Sequence, residues 1–337
     1  MNDLQLYADA ALAPSGKVAL QKLPKQQALW VGGSVGAAAL AGATPLWAWA
    51  PELALCIALG AGASLNDNLA EATIVLTDER TNRLFIRVTR ASFIFFAGTG
   101  ERDYYGDNGP AASAAFNRPA ASSLSLERLA LRTGTDPVTV DPTRRHPDFP
   151  RFVYVADTGN HVVRRIELDT YVDGNGDVEF YRLGEHHITT IIGTGAPGEN
   201  GDVGPGVGFR LNAPAGITTM SNGHLLVSDT GNHRIVEYNP DTGMASTAVG
   251  ITGEPGDVDG LAHVSGIGNQ VTLHAPHTLT ALPLSLLDDG ATGDIVFFAD
   301  RNNQKIRVLF YGEFAAGSDL AAVPTGVVLT VAGEGTL

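Results

Sequence analysis

The sequence predicts an all-β protein built from repeated units of four antiparallel strands. Three observations carry that expectation. A motif recurs at near-constant spacing, hydrophobic residues within it alternate with a period of two, and Gly and Pro punctuate the chain densely, with 40 Gly and 18 Pro in 337 residues. Hydrophobic residues make up 44% and charged residues 17%, so the chain can bury a large core.

The repeat is clearest in four segments: IVLTDERTNRLFIRV (74–88), VYVADTGNHVVRRIEL (153–168), LLVSDTGNHRIVEYN (225–239) and VFFADRNNQKIRVLF (296–310). A fainter copy starts at Leu4. The Asp closing each hydrophobic run is Asp9, Asp78, Asp157, Asp229 and Asp300, at spacings of 69, 79, 72 and 71 residues. Each Asp motif reads as a hairpin, because Asp157, Gly159 and Asn160, and again Asp229, Gly231 and Asn232, are types that tolerate positive φ and bond their own backbone. A third hydrophobic segment ending in Gly follows (ALWVGG at 28–33, ASFIFFAGTG at 91–100, ITTIIGTG at 188–195, ASTAVGITG at 245–253, VVLTVAGEG at 327–335). A Gly-rich loop then leads to a Pro-marked strand (WAPELALCI at 49–57, FNRPAASSL at 116–124, LNAPAGITT at 211–219, LHAPHTLTA at 273–281).

N-x-P before the first strand, A/S-D-x-x-N-x-x-I/V in the hairpin and V-x-G-T-G at the outer strand together resemble the NHL-repeat family. The run Gly106 to Ala111, with Ser113 and Phe116-Asn117-x-Pro119, resembles the long loops of bacterial and teneurin-type members. The resemblance covers nearly the whole chain and implies a β-propeller of four-stranded antiparallel blades, about five of them, with the Pro-marked strand innermost. The approximate units are 1–48, 49–115, 116–210, 211–272 and 273–337, the first lacking its inner strand and its turn Asn. The ring is therefore expected to be incomplete, to self-associate or to be completed by a further segment.

The net charge of −14, from 22 basic and 36 acidic residues, excludes a nucleic-acid binder and argues against docking on anionic membranes. The uncharged stretch 28–50 has the length to span a bilayer, but its Gly and Pro content and the repeat register assign it to strand, loop and strand. The N-terminal run MNDLQLYADAALAPSGK does not read as a signal peptide, so an extracellular or cell-surface place would require the chain to be part of a longer protein. The single Cys56, in the apolar run LALCIAL, reads as a packed hydrophobe and leaves the redox compartment open.

Insertions fall at 125–151, 168–188 and 284–294, where repeat proteins commonly build binding surfaces. In the second, Asp169, Asp173, Asn175, Asp177 and Glu179 alternate with glycines, a pattern that suits calcium and equally suits a solvated hairpin tip. The Gly-rich loops 98–108 and 193–204 read as connectors, because their acids would repel phosphate. His161 and His233 recur as blade architecture. His277, beside Pro276, and Glu52 are expected near the channel, where propeller lyases and lactonases hold a metal. With Asp300 they form the catalytic candidates of that reading, although two ligands are too few for a catalytic zinc. No G-x-S-x-G or H-E-x-x-H is present. The favoured expectation is a non-catalytic module that binds a protein, glycan or other ligand through rim loops; the alternative is a channel-centred enzyme.

Overall fold

The computed structural model describes residues 56–59, 74–89, 92–126, 128–132, 140–168, 170–172, 178–180, 186–263, 269–286, 290–317 and 323–333. The first unit (1–48), Pro51, Glu52 and the apolar stretch 28–50 lie outside them. No helix among the described residues is long and apolar enough to cross a membrane.

Among the described residues, four meander sheets follow one another along the chain. The first runs β1 (Cys56–Leu59), β2 (Ile74–Asp78), β3 (Arg83–Thr89) and β4 (Ser92–Ala97) in sequence order. The second runs outward from β6 (Pro119–Leu124) through β9 (Phe152–Asp157) and β10 (Val162–Glu167) to β13 (His187–Gly193), and adds β5 (Gly109–Pro110) at its outer edge. The third repeats this with β15 (Pro214–Thr219), β16 (Leu225–Asp229), β17 (Arg234–Asn239), β18 (Met244–Val249) and, outermost, β14 (Val203–Pro205). The fourth comprises β20 (Pro276–Pro283), β21 (Thr292–Asp300), β22 (Lys305–Glu313), β23 (Val327–Ala332) and β19 (Gly260–Leu261). This is the blade pattern of a propeller.

Two expectations change. The last three sheets have five strands, not four. The Gly-rich loop of each unit crosses to the outer edge of the next sheet and pairs there for two or three residues, so that β5 meets His187 and Ile188 of β13, which covers backbone that would otherwise stand unpaired. The unit boundaries therefore interlock, since 109–110, assigned by sequence to the 49–115 unit, belong to the sheet of the next. The turn also differs from its prediction. The left-handed residue is the one after the Asn, His161 at φ 57°, His233 at 59° and Gln304 at 54°, with Asn82 at 52° in the first sheet. Gly159 is needed for proximity instead, because a Cβ there would strike the side chain of Asn117.

Apolar faces of successive sheets pack on one another. Val75, Leu84 and Phe96 meet Phe116, Val155 and Ile166; Tyr154 and Val163 meet Phe209, Leu225 and Val236; Leu226 and Ile235 meet Leu273, Val296 and Phe298. The alternation of buried faces along each strand is what the period-two pattern demands.

Candidate functional site

The Asp of the repeat is a fastener for its own blade. Asp157 accepts the Asn117 backbone N–H at 2.8 Å and the Asn160 amide at 2.8 Å. Asp229 repeats this with the Asn212 N–H at 2.7 Å and Asn232 at 2.8 Å. Asp300 does so with the His274 N–H at 2.8 Å and Asn303 at 2.8 Å. Each Asn also donates to a carbonyl of the preceding Gly-rich loop: Asp103 at 2.8 Å, Gly198 at 2.8 Å and Gly256 at 2.6 Å. The motif thus ties the inner strand, the turn and the loop together.

A fully buried arginine completes each fastener. Arg164 lies 2.7 Å from Asp107 and 3.6 Å from Asp157. Arg234 lies 2.9 Å from Asp229, and Arg307 bonds Asp257, Asp259 and Asp300 at 2.5, 3.0 and 2.8 Å. These arginines stand five residues after the Asp in the third sheet and seven after it in the second and fourth, positions that share one strand face. Burial pushes the Asp157 carboxyl up to about 6, against the lowering effects of its hydrogen bonds and of Arg164. Burial likewise raises Asp229 and Asp300. At Asp202 burial is outweighed by hydrogen bonds from Thr252 and Thr247 and by Arg234, which hold it below the usual carboxylate range. The loop acids read from sequence as hostile to phosphate therefore include two, Asp107 and Asp202, that lie within ion-pair reach of buried guanidinium groups.

Of the channel candidates, Asp300 is fully buried with both carboxylate oxygens engaged in this fastener. His277 sits near the start of β20, its Nδ1 3.2 Å from the Thr278 hydroxyl, and burial, then Arg301, lowers its pKa. Its backbone carbonyl lies against Gly216 of β15 so closely that a Cβ there has no room. Glu52 lies outside the described residues. Among the described residues no three His, Cys, Asp or Glu side chains group as metal ligands.

Of the calcium candidates, Asp169, Asp173, Asn175 and Asp177 lie outside the described residues. Glu179 is placed by its backbone in β12 (Val178–Phe180), opposite Tyr171 of β11 (Thr170–Val172). This hairpin leaves the second sheet between its third and fourth strands. A second hairpin, β7 (Arg128–Arg132) with β8 (Val140–Pro150), leaves between its first and second strands. Both depart from the same end, where Leu124, Val153 and Ile166 align and Glu167 pairs with His187, and β7 runs beside β11.

On that same rim, a shallow cleft of about 370 Å³ opens between the third and fourth sheets, lined by Ser221, Asn222, Thr292, Asp294, Tyr311 and Thr325 among others. Asp294, 2% exposed, accepts the Ser221 hydroxyl at 2.8 Å and its N–H at 3.0 Å. Burial raises its pKa against those bonds. The Tyr311 hydroxyl donates to Glu237 at 3.0 Å, and the His224 ring is 2.6 Å from the same carboxylate. Sequence reading missed this group, whose Asp294–Ser221 and Tyr311–Glu237 bonds cross from one sheet to the next, and it missed the buried arginines, for which the repeated basic residue five or seven positions after the Asp was the available signal.

The NHL repeat model matches residues 211–238, the span from the Asn-Ala-Pro entry of β15 to the end of the Asp-turn hairpin. NHL repeat-containing protein 2 of Homo sapiens is 26% identical over 224 residues, 66% of this chain and 24% of that protein. Its Gallus gallus counterpart is 31% identical over 159 residues, 47% of this chain and 18% of that protein. The chain thus spans about a quarter or less of the length of these curated relatives. Among solved structures, an auxiliary nutrient binding protein from Bacteroides thetaiotaomicron has a TM-score of 0.43 and 14% identity, over 71% of this chain and 45% of that one. With one fastener repeated at Asp157, Asp229 and Asp300, and with the matched segment lying on one of the three, this chain carries an NHL repeat at 211–238 and folds as β-propeller blades.

Proposed function

We propose that this chain is a non-catalytic interaction module that binds a protein, glycan or other ligand through the loops of one rim. One observation carries the reading: the recurrent polar residues of the motif are consumed in holding the blades, while the insertions that break the repeat, 125–151 and 168–188, place two hairpins side by side on one rim. Rigid scaffolds commonly present function on such irregular loops. Calcium bound through Asp169, Asp173, Asn175, Asp177 and Glu179 would stiffen the tip of the second hairpin. The family does not name the ligand, since one fold hosts many functions.

The test is a pair of variants with 127–149 or 169–185 replaced by a short Gly-Ser linker, compared with the intact chain on glycan and purified-protein arrays, with calcium and with chelator. Ligands of the intact chain are expected to be lost from one or both variants and kept by His277→Ala. Ligands that survive both replacements and are lost in His277→Ala would refute the rim reading and favour the channel.

A further inference from the structure

We infer that the cleft between the third and fourth sheets, on the same rim as the two hairpins but apart from them, is a separate binding site for a neutral saccharide unit. The cleft exists because the fourth sheet departs from the repeat. β21 and β22 are nine residues each, whereas their counterparts in the second and third sheets are five or six. The added pairs Thr292–Glu313, Gly293–Gly312 and Asp294–Tyr311 carry this hairpin past the blade and form one wall, with Ser221 and Asn222 of the third sheet opposite. Gly293 faces Gly312, so no side chain stands in the middle of the extension. The third insertion, 284–294, leads into this wall, and the two hairpins make no use of it.

Both walls are fixed from behind. Ser221 donates its hydroxyl and its N–H to Asp294, which ties the third sheet to the extended hairpin. Glu237 of β17 accepts the Tyr311 hydroxyl and bonds the His224 ring, a second tie between the same two sheets. A ligand therefore meets groups already held in place, which lowers the ordering cost of binding.

The groups left unspent are both donors and acceptors. Among the described residues the Thr292 hydroxyl, the Asn222 amide nitrogen and the Glu313 carboxylate have no hydrogen-bond partner, and all three side chains belong to exposed residues. The Thr325 hydroxyl accepts the Gly312 N–H and keeps its own proton to donate. A sugar hydroxyl both donates and accepts, so a ring bearing several can satisfy the carboxylate and the amide together. A simple amine only donates and would leave the Asn222 amide unmatched. No Lys or Arg lines the cleft, so a carboxylated, sulfated or phosphorylated sugar would meet Asp294 and Glu313 without compensation. The volume of about 370 Å³ lies at the small end of ligand sites, which run from about 300 to 1,000 Å³, and the polar lining suits a hydroxylated ligand over an apolar one.

The test is saturation-transfer NMR of the full chain with four neutral trisaccharides, maltotriose, cellotriose, mannotriose and triacetylchitotriose, and with sialyllactose and spermidine as charged probes. At least one neutral trisaccharide is expected to bind, and the double variant Asn222→Ala, Thr292→Val to weaken it about tenfold, as the loss of two hydrogen bonds implies, with an unchanged urea midpoint. Glu313→Gln, at a second exposed position, is expected to weaken it as well. Unlike the ligands of the rim hairpins, this trisaccharide should be kept by the variants with 127–149 or 169–185 replaced. Undiminished binding by the double variant would overturn the inference; if the hairpin variants then lose the trisaccharide, the rim reading stands without the cleft. Binding of no neutral trisaccharide, or a preference for sialyllactose or spermidine, would also overturn it, and the array comparison of the hairpin variants would still decide the rim reading by itself.

Discussion

His233 accepts the backbone N–H of Ala275 at its Nδ1, 3.1 Å away, across the boundary between the third and fourth sheets. His161 does the same with Ala213 at 2.9 Å one boundary earlier. An imidazole nitrogen can accept only while it carries no proton, so both links require the tautomer protonated at Nε2. In the first sheet Asn82 makes the equivalent bond with a side chain that does not titrate.

This arrangement makes the blade boundaries sensitive to acid. Burial lowers the pKa of His161, and burial with His274 lowers that of His233, while Asp300 acts in the opposite sense. A depressed histidine contributes stability that is present above its unfolded value near 6.5 and is lost as pH falls through the folded value. Urea unfolding at pH 7.5 and 5.0 is expected to show a smaller pH-dependent loss in the double variant His161→Asn, His233→Asn than in the natural chain. The difference should be about 0.5–1.5 kcal/mol per link.

The Asp157 carboxyl works in the other direction. Its pKa, raised by burial to about 6, exceeds the ordinary value of 3.8, so its contribution to stability is fully present below 3.8 and lost as pH rises through about 6. Carbon-13 NMR of the Asp side-chain carboxyls should show one resonance titrating near 6. In Asp157→Asn that resonance should be absent and the folded chain should take up fewer protons between pH 7 and 5.

Arg234 and Asp229, both fully buried and 2.9 Å apart, should behave as a coupled pair. Asp229→Ala leaves the guanidinium without its nearest carboxylate and is expected to cost about 3–5 kcal/mol. Arg234→Met with Asp229→Ala should cost less than the sum of the two single changes, as a double-mutant cycle by urea denaturation would read. Strict additivity would show that the fastener is not held by this pair.

Gly216 tests the packing of inner strands. A Cβ there meets the His277 carbonyl of β20, which is backbone and cannot swing away. Gly216→Ala is expected to destabilise by about 1–3 kcal/mol in thermal or urea unfolding. A neutral result would mean that β15 and β20 can part without cost.

The strands, their order within each blade and the meander topology are written in the sequence because they depend on near neighbours. Period-two alternation sets the faces, and Asp, Gly and Asn set a turn three residues long. Even so, the turn was only half legible: the sequence marked Gly159 and Asn160, but the left-handed conformation fell on His161, because the Asn side chain is spent on Asp157 and the loop carbonyl of Asp103.

Tertiary structure decided the rest. The fifth strands could not be read from Gly109-Pro110 or Val203–Pro205, since two or three residues carry no period of their own and pair with a strand of the following blade. Arg164 meets Asp107 across 57 positions, and His161 meets Ala213 across 52. Such partners are set by the path of a loop from one blade to the next, which local pattern does not encode. The sequence alone therefore determined a repeating NHL blade. Which charges are buried and which histidines must stay neutral followed only once the blades were stacked.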